Sequence, residues 1–164
     1  MSFDQESSIR REGNDILIRR LDSSSCVGQF IRSVWQGIQK GYQEFNVKIE
    51  GNSVSVFPNA CVPITGFIEH YRKSGIDIFL ELSADEYLTH CHFGAPLYLS
   101  PTEISNLDTP FDKIFCYNTS AQVAAYTQRY IDSISQQIVC EKDIIDSLIW
   151  CINEVMDNVL THSK

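Results

Sequence analysis

The sequence predicts an α/β fold, in which a small four-stranded mixed sheet with flanking helices is followed by a pair of long helices. Two observations predict it. Short apolar or alternating runs typical of strands occupy residues 45–49, 54–56, 76–82 and 112–117, with helical spacing between most of them. Beyond residue 119 only helical spacing remains. We therefore predict an α/β domain over residues 25–118 and a helical unit over residues 119–164.

Residues 1–24 are mostly polar and are predicted to form an N-terminal arm. Ile16, Ile18 and Leu21, in the run DILIRRL, can form a strand or a segment clipped onto the domain, and the sequence leaves both alternatives open. A helix follows and ends at Gly41, because apolar residues recur at the i, i+3, i+4, i+7 spacing of one buried face. They are Val27, Phe30, Ile31, Val34, Trp35 and Ile38.

The segment FNVKIEGNSVSVF is predicted to be an antiparallel hairpin. Two alternating runs flank the Gly51-Asn52 step, which is a strong short-range turn signal. Pro58 ends the second run, and a helix then extends to Gly75 with its apolar face formed by Val62, Ile64, Phe67, Ile68 and Tyr71. The run IDIFLEL at residues 76–82 is nearly all apolar, which is typical of a strand covered on both faces.

A short polar helix is predicted over residues 85–90 and a fourth strand over residues 112–117. Two long helices follow, over residues 120–139 and 143–162. The first is predicted to bury Val123, Tyr126, Tyr130, Ile134 and Ile138, and the second Ile145, Leu148, Ile149, Ile152, Val155, Met156 and Val159. Trp35 and Trp150 share this helical spacing and are predicted to lie in the core.

Composition excludes several classes of protein. The 164 residues carry a formal charge of −8 and no dense basic cluster, so neither nucleic acid nor an acidic membrane surface is an expected partner. No apolar run approaches the roughly 18 residues of a membrane span. The polar start MSFDQESS lacks the apolar centre of a signal peptide, and the predicted location is cytoplasmic.

The six cysteines contain no C-x-x-C pair, so in a reducing compartment they are most simply small core residues. Cys61 precedes or begins a helix, where partial positive charge can lower a thiol pKa; the alternative, which we favour, is an ordinary buried cysteine. The tripeptide His90-Cys91-His92 is not expected to bind a metal, because three adjacent side chains of a helix cannot all reach one ion.

The final stretch, CINEVMDNVLTHSK, places Glu154, Asn158 and His162 at equal four-residue steps. On a helix such positions drift only about 40° and rise about 6 Å per step, so the three side chains share one side. We call this set the polar ladder. It is either a solvated polar face or a ligand-binding face.

The letters NEVMDNVLTHS resemble the N-box of the GHKL ATPase superfamily, the ATP-binding domains of histidine kinases and anti-sigma-factor serine kinases, whose pattern is E-L-x-x-N-A-x-x-H-[AS]. The resemblance implies that Asn158 is a Mg²⁺ ligand, that Glu154 is the base that orients or deprotonates the attacking group, and that His162 lies near the phosphates or the sugar. A carboxamide oxygen suits Mg²⁺, and phosphoryl transfer needs such a base.

The superfamily places an Asp-x-Gly-x-Gly box and a glycine-rich lid after this helix, and neither motif occurs before Lys164. The expectation is therefore that the chain is the N-terminal piece of a longer protein. In that reading ATP and Mg²⁺ bind the longer protein, and this piece is expected neither to bind ATP appreciably nor to be active on its own.

The elements before residue 119 are similar to a STAS-like domain, the α/β fold of anti-sigma-factor antagonists, mainly over VSVFPNACVPITGFIEHYRKSGIDIFLEL. These antagonists carry a D-S-[ST]-G phosphoacceptor turn. The corresponding residues here, Pro58, Asn59, Ala60 and Cys61, include no hydroxyl. The resemblance therefore implies a partner-binding or sensory module that is not phosphorylated at this turn.

Together these patterns predict the regulatory N-terminal part of an ATP-binding signalling protein with a regulatory protein partner. Whether the chain belongs to an enzyme stays open. The alternative is a non-enzymatic interaction module whose helical hairpin forms a homodimer. A third alternative is a plain cytosolic α/β domain followed by two helices.

Overall fold

The computed structural model describes residues 7–50, 56–82, 88–89, 91, 93, 114 and 117–162. The chain divides into two compact units, Met1–Tyr98 and Leu99–Lys164. The predicted boundary at 118/119 lies close to a largely undescribed stretch and stays a prediction. The predicted fold class is confirmed: a four-stranded mixed sheet with flanking helices precedes two long helices.

The first unit contains one sheet, in the order β1-β2-β3-β4. Its strands are β1 (Ile9–Glu12), β2 (Asp15–Ile18), β3 (Glu44–Ile49) and β4 (Asp77–Leu82). Strands β1 and β2 are antiparallel, whereas β2 with β3 and β3 with β4 are parallel. Gly13, with a φ of 62°, supplies the left-handed conformation of the two-residue turn between β1 and β2. Of the two alternatives for DILIRRL, the strand is the one present.

The predicted hairpin of residues 45–56 is wrong. Strand β3 is paired on one edge with β2 and on the other with β4, so it has no edge left for an antiparallel neighbour. Val56 instead forms a parallel bridge with Leu21, and the intervening residues 51–55 lie outside the described part of the chain. The Gly51-Asn52 step is compatible with a local turn, but the strand pairing of β3 is determined by its long-range parallel partners β2 and β4.

Two helices cover one face of the sheet. Helix α1 (Ser24–Ile38) packs against β1 and against α2 (Pro58–Lys73), which also packs against β4. Pro58 occupies the first position of α2, where its missing N–H needs no partner, and Gly75 follows the helix with a φ of 81°. The core between the sheet and these helices includes Phe30, Phe45, Ile49, Ile64 and Ile68, all fully buried.

The opposite face of the sheet is exposed, and we call it the open face. Outward residues alternate with buried or half-buried inward residues along every strand. Phe79 on β4 is 57% exposed, whereas its neighbour Ile78 is buried. The prediction that residues 76–82 are covered on both faces is therefore wrong, although the strand itself is confirmed: an apolar run can also be a one-sided strand with an exposed aromatic residue.

The second unit contains α3 (Ser120–Gln137) and α4 (Lys142–His162), which pack against each other. Thr119 caps α3 by accepting a hydrogen bond from the Gln122 backbone N–H at 3.3 Å. Helix α3 buries four residues, Val123, Tyr126, Thr127 and Ile131. Helix α4 buries none, although five of its seven predicted inward residues are half-buried.

Several predicted core residues are exposed. Ile138 follows the end of α3 in extended conformation and is 59% exposed. Val155 and Val159 on α4 are 65% and 50% exposed. Helical spacing identifies an apolar face but does not provide a layer to cover it, and these predictions are wrong for that reason.

The tryptophan predictions are also wrong. Trp35 on α1 is 57% exposed and Trp150 on α4 is 66% exposed. Each indole lies at the border of its helix's apolar stripe, where spacing alone does not distinguish a core position from a surface one.

Two further predicted elements lie mainly outside the described residues. Within 85–90 only Leu88 and Thr89 are described, and both are helical; within 112–117 only Ile114 and Tyr117 are described, and neither is in a strand. Over the described residues, no helix combines the length and hydropathy needed to cross a membrane.

Candidate functional site

The polar ladder lies on one continuous helix. Because α4 runs unbroken from Lys142 to His162, Glu154, Asn158 and His162 occupy successive turns on the same side over about 12 Å. All three side chains are exposed. The roles implied by the N-box resemblance remain predictions, but the geometry leaves the three groups accessible to a ligand.

Near the middle of the polar ladder, two hydrogen bonds connect the inner side of α4 to neighbouring residues. The buried Thr127 hydroxyl on α3 donates to Oδ1 of Asn153 at 2.7 Å, and the Tyr117 hydroxyl donates to the Met156 carbonyl oxygen at 3.3 Å. Asn153 and Met156 are accordingly half-buried, whereas Glu154, the neighbour of Asn153, is exposed.

Sequence reasoning missed the contact between Thr127 and Asn153. A signal for it exists: Thr127 lies one turn after Val123 and beside Tyr126, and therefore belongs to the buried stripe of α3. A hydroxyl in a buried stripe needs a hydrogen-bond partner, and a carboxamide on the facing helix can supply one.

An apolar seam runs along α4 beside the ladder. Ile144, Leu148, Cys151 and Val155 repeat at alternating steps of four and three residues, as in a coiled coil, and we call them the outer seam. Ile144 and Val155 are 51% and 65% exposed. The first three line a surface depression of about 410 Å³ with Asp143 and Ser147.

Asn158 and His162 continue the same alternating steps beyond Val155. The outer seam therefore passes directly into the two distal residues of the ladder. Any structure that packed on the seam would bring its own atoms next to Asn158 and His162, which places a potential ligand site at the end of a potential packing surface.

The ladder offers only part of a metal site. Within the described ranges, no group of three His, Cys, Asp or Glu side chains is placed to hold a metal ion. A lone carboxamide oxygen nevertheless fits Mg²⁺, which keeps several waters and binds phosphate oxygens. The partial negative charge at the C-terminal end of α4 also favours a cation. Asn158 therefore fits the role of one protein ligand among water and phosphate ligands.

Cys61 is buried, at 2% exposure, in the first turn of α2. Burial, reinforced by the neighbouring Cys91, raises the pKa of its thiol from 9.0 to about 12, although a backbone hydrogen bond acts in the opposite direction. The possibility of a lowered thiol pKa is therefore wrong, and the favoured alternative of an ordinary buried cysteine is confirmed. Loss of water around the thiolate outweighs the partial charge of the helix end.

The residues of the phosphoacceptor-like turn, 58–61, form the first turn of α2. Pro58 and Asn59 are exposed, whereas Ala60 and Cys61 are buried. Of the tripeptide His90-Cys91-His92, only Cys91 is described; it is buried, and its thiol donates to the Leu88 carbonyl oxygen at 3.6 Å.

Comparison of the chain with protein-family models, curated proteins and solved structures finds no match.

Proposed function

We propose that this chain is the regulatory N-terminal part of an ATP-binding signalling protein of the GHKL class, and that α4 supplies the magnesium-binding side of its nucleotide site. One observation carries the proposal: Glu154, Asn158 and His162 are exposed on one side of a continuous helix and adjoin the largely exposed outer seam.

Each side chain of the polar ladder has its own proposed role in phosphoryl transfer. The Asn158 carboxamide oxygen would be the protein ligand of Mg²⁺, and the ion would supply positive charge that neutralises the phosphates of the nucleotide. One turn earlier, Glu154 accepts the proton of the attacking hydroxyl or water, or orients it. His162, one turn further along, contacts the phosphates or the sugar.

The outer seam gives a physical reason to expect that the chain alone does not bind ATP appreciably. A nucleotide site needs walls that exclude water and contact the base, and an exposed helix face provides neither. In the proposed protein, a nucleotide-binding sheet packs on Ile144, Leu148 and Val155 and completes the site around Asn158. The α/β unit then serves as the regulatory module and acts through a protein partner.

Nucleotide titration tests the proposal. A fluorescent ATP analogue with Mg²⁺ is titrated into this 164-residue chain and into the product of the complete gene. We expect saturable micromolar binding by the complete product and none by the chain. The coding DNA beyond codon 164 provides an independent check, since an Asp-x-Gly-x-Gly box must follow. Saturable micromolar binding by the chain itself, or a natural stop codon after Lys164, contradicts the proposal.

The outer seam also favours a second candidate function, a non-enzymatic interaction module that forms a homodimer. Steps of four and three residues let two copies of α4 pack side by side through Ile144, Leu148, Cys151 and Val155. Sedimentation equilibrium distinguishes the two: a dimer at micromolar concentration that Val155→Glu converts to a monomer supports the module. A strict monomer at high concentration rules it out.

A further inference from the structure

The open face of the sheet is unusual for its strand directions. Two of the three strand pairs, β2 with β3 and β3 with β4, are parallel. Parallel strands in α/β proteins are normally covered on both faces, because their connecting helices pack on each side. Here α1 and α2 cover one side, and Phe79 on the other side is 57% exposed. Among the described residues, no second layer covers the open face.

The charges on the open face are unbalanced. Its outward positions carry five carboxylates, those of Glu12, Asp15, Glu44, Asp77 and Glu81. Two cations share the face, and both are already paired: Arg10 lies 3.8 Å from Glu12, and Lys48 lies 3.4 Å from Glu81. Within the described part of the chain, neither Glu44 nor Asp77 has a cationic partner.

The strand register places like charges side by side. Glu12 lies opposite Asp15 in the β1–β2 pair, and Glu44 lies opposite Asp77 in the β3–β4 pair. Like charges at directly opposed positions destabilise a sheet, and both pairs occur near the same end of the open face. At the first pair the repulsion is offset in part, because Arg10 pairs with Glu12 and the Asn46 side chain donates a hydrogen bond to Asp15 Oδ1 at 2.7 Å. The Glu44–Asp77 pair is therefore the clearer case of carboxylates that do not stabilise the isolated sheet.

The open face also contains a depression and two apolar side chains. A depression of about 500 Å³ crosses the strands, with Leu17 among the residues that line it. Phe79 stands next to Asn46, which lines the same depression. Leu17 is half-buried, so the two apolar side chains together offer a discontinuous apolar strip among carboxylates.

We propose that the open face docks an amphipathic helix of a partner protein, with an apolar stripe over Leu17 and Phe79 and Lys or Arg residues facing Glu44, Asp77 and the Glu12–Asp15 pair. A helix is the element that normally forms the second layer on such a sheet. The surplus of carboxylates selects a basic partner. The proposal concerns the α/β unit alone and does not depend on the nucleotide site.

The test uses the 164-residue chain and two synthetic helical peptides with one leucine stripe and opposite flanking charges, either lysine or glutamate. Fluorescence anisotropy of a labelled peptide is measured at low salt and at about 150 mM salt. We expect the lysine peptide to saturate and to bind about tenfold more weakly at the higher salt, because surface attraction is screened. The glutamate peptide is expected to bind at least about tenfold more weakly than the lysine peptide.

Variants locate the binding surface. Glu44→Lys with Asp77→Lys is expected to weaken the lysine peptide by about tenfold or more, and Phe79→Ser by about fivefold. The matched control, Asp132→Lys with Asp146→Lys, makes the same change in net charge at exposed positions of α3 and α4. We expect binding by this control to stay within about twofold of the original chain.

Thermal stability distinguishes a loss of peptide binding from a loss of folding. The single change Glu44→Lys converts a like-charged pair into an opposite-charged one, so we expect the Tm to rise while peptide binding weakens. Three results overturn the proposal: equal affinity for the two peptides, an equal loss in the Asp132/Asp146 control, or peptide binding by Glu44→Lys/Asp77→Lys that matches the original chain.

Discussion

The two units of this chain differ in how completely their elements are packed. In the α/β unit every helix and strand contributes buried side chains, including Phe30, Phe45 and Ile64 at 0% exposure. In the helical unit, α4 has 21 residues and none is buried. Because a helix in water is held mainly by packing of its apolar face, α4 is the less stable element. The polar ladder therefore lies on the element whose packing is least complete.

Truncating one apolar residue in each unit gives the largest contrast. Ile64→Ala opens a cavity in the α/β core, and we expect a loss of about 2–5 kcal/mol in the free energy of unfolding. Val155→Ala removes an exposed side chain, and we expect less than about 0.5 kcal/mol. Urea unfolding followed by circular dichroism measures both. Equal losses of unfolding free energy in the two variants would contradict the difference in packing between the two units.

Two glycines of α1 test how closely this helix packs against the sheet. A Cβ at Gly37 would clash with Cε1 of the buried Phe45 ring, so Gly37→Ala is expected to destabilise the unit by about 1–3 kcal/mol. A Cβ at Gly28 would meet no atom of the described residues within 4 Å, and Gly28→Ala is expected to stabilise the helix by roughly 0.5–1 kcal/mol. Thermal melts of the two variants should shift in opposite directions; shifts of the same sign contradict the close approach of α1 and β3.

The buried thiol of Cys61 makes the α/β unit sensitive to alkaline pH. Its pKa is raised from 9.0 to about 12 in the folded chain, mainly by burial. The unfolded chain therefore releases this proton first, so the stabilisation is complete below pH 9 and declines as the pH rises towards 12. Between pH 8 and pH 10 we expect a loss of about 1 kcal/mol in the free energy of unfolding.

The Cys61→Ala variant provides the control for that pH dependence. Its overall stability is lower, but its decline between pH 8 and pH 10 should be smaller by about the same 1 kcal/mol. Working below pH 10 limits the contributions of Tyr71 and Tyr130, whose pKa values burial also raises. Identical pH slopes for the two chains contradict the burial of this thiol.

The smallest expected effect concerns the helical unit. Thr127→Val removes the hydroxyl that donates to Asn153 Oδ1 at 2.7 Å, and we expect a loss of about 1 kcal/mol. Gln128→Ala removes an exposed hydrogen bond to Asp132 on the same helix and should change the stability by less than about 0.5 kcal/mol. Amide hydrogen exchange in α4 reports both. Unchanged exchange in Thr127→Val shows that this bond does not hold the helix pair.

The sequence predicted elements better than it predicted their partners. The helices α1 to α4 and the strands β3 and β4 follow from spacing and from the glycines and prolines at their ends. The strands predicted to pair first were 45–49 and 54–56, whereas the antiparallel pair in the structure is formed by β1 and β2. Local pattern identified β3 as a strand, whereas its pairing with β2 and β4 depends on residues about thirty positions away.

Burial was predictable only where a second layer exists. Ile64 and Ile68 satisfied helical spacing and are covered by the sheet and α1. Val155, Val159 and Trp150 satisfied the same spacing and are exposed. The spacing gives the direction of a side chain, and the covering structure must come from elsewhere. For the same reason the sequence could indicate the alignment of the polar ladder but could not reveal the uncovered seam beside it.

The decisive measurement is magnesium-dependent ATP binding by the product of the complete gene, compared between the original protein and its Asn158→Ala variant. We expect saturable micromolar binding by the original protein that disappears with EDTA. In Asn158→Ala we expect binding to weaken at least about tenfold, because a Mg²⁺ ligand is lost. Asp146→Ala, an exposed change elsewhere on α4, should bind like the original. No nucleotide binding by the complete product, or equal binding by the Asn158→Ala variant, would contradict the assignment of α4 to a nucleotide site.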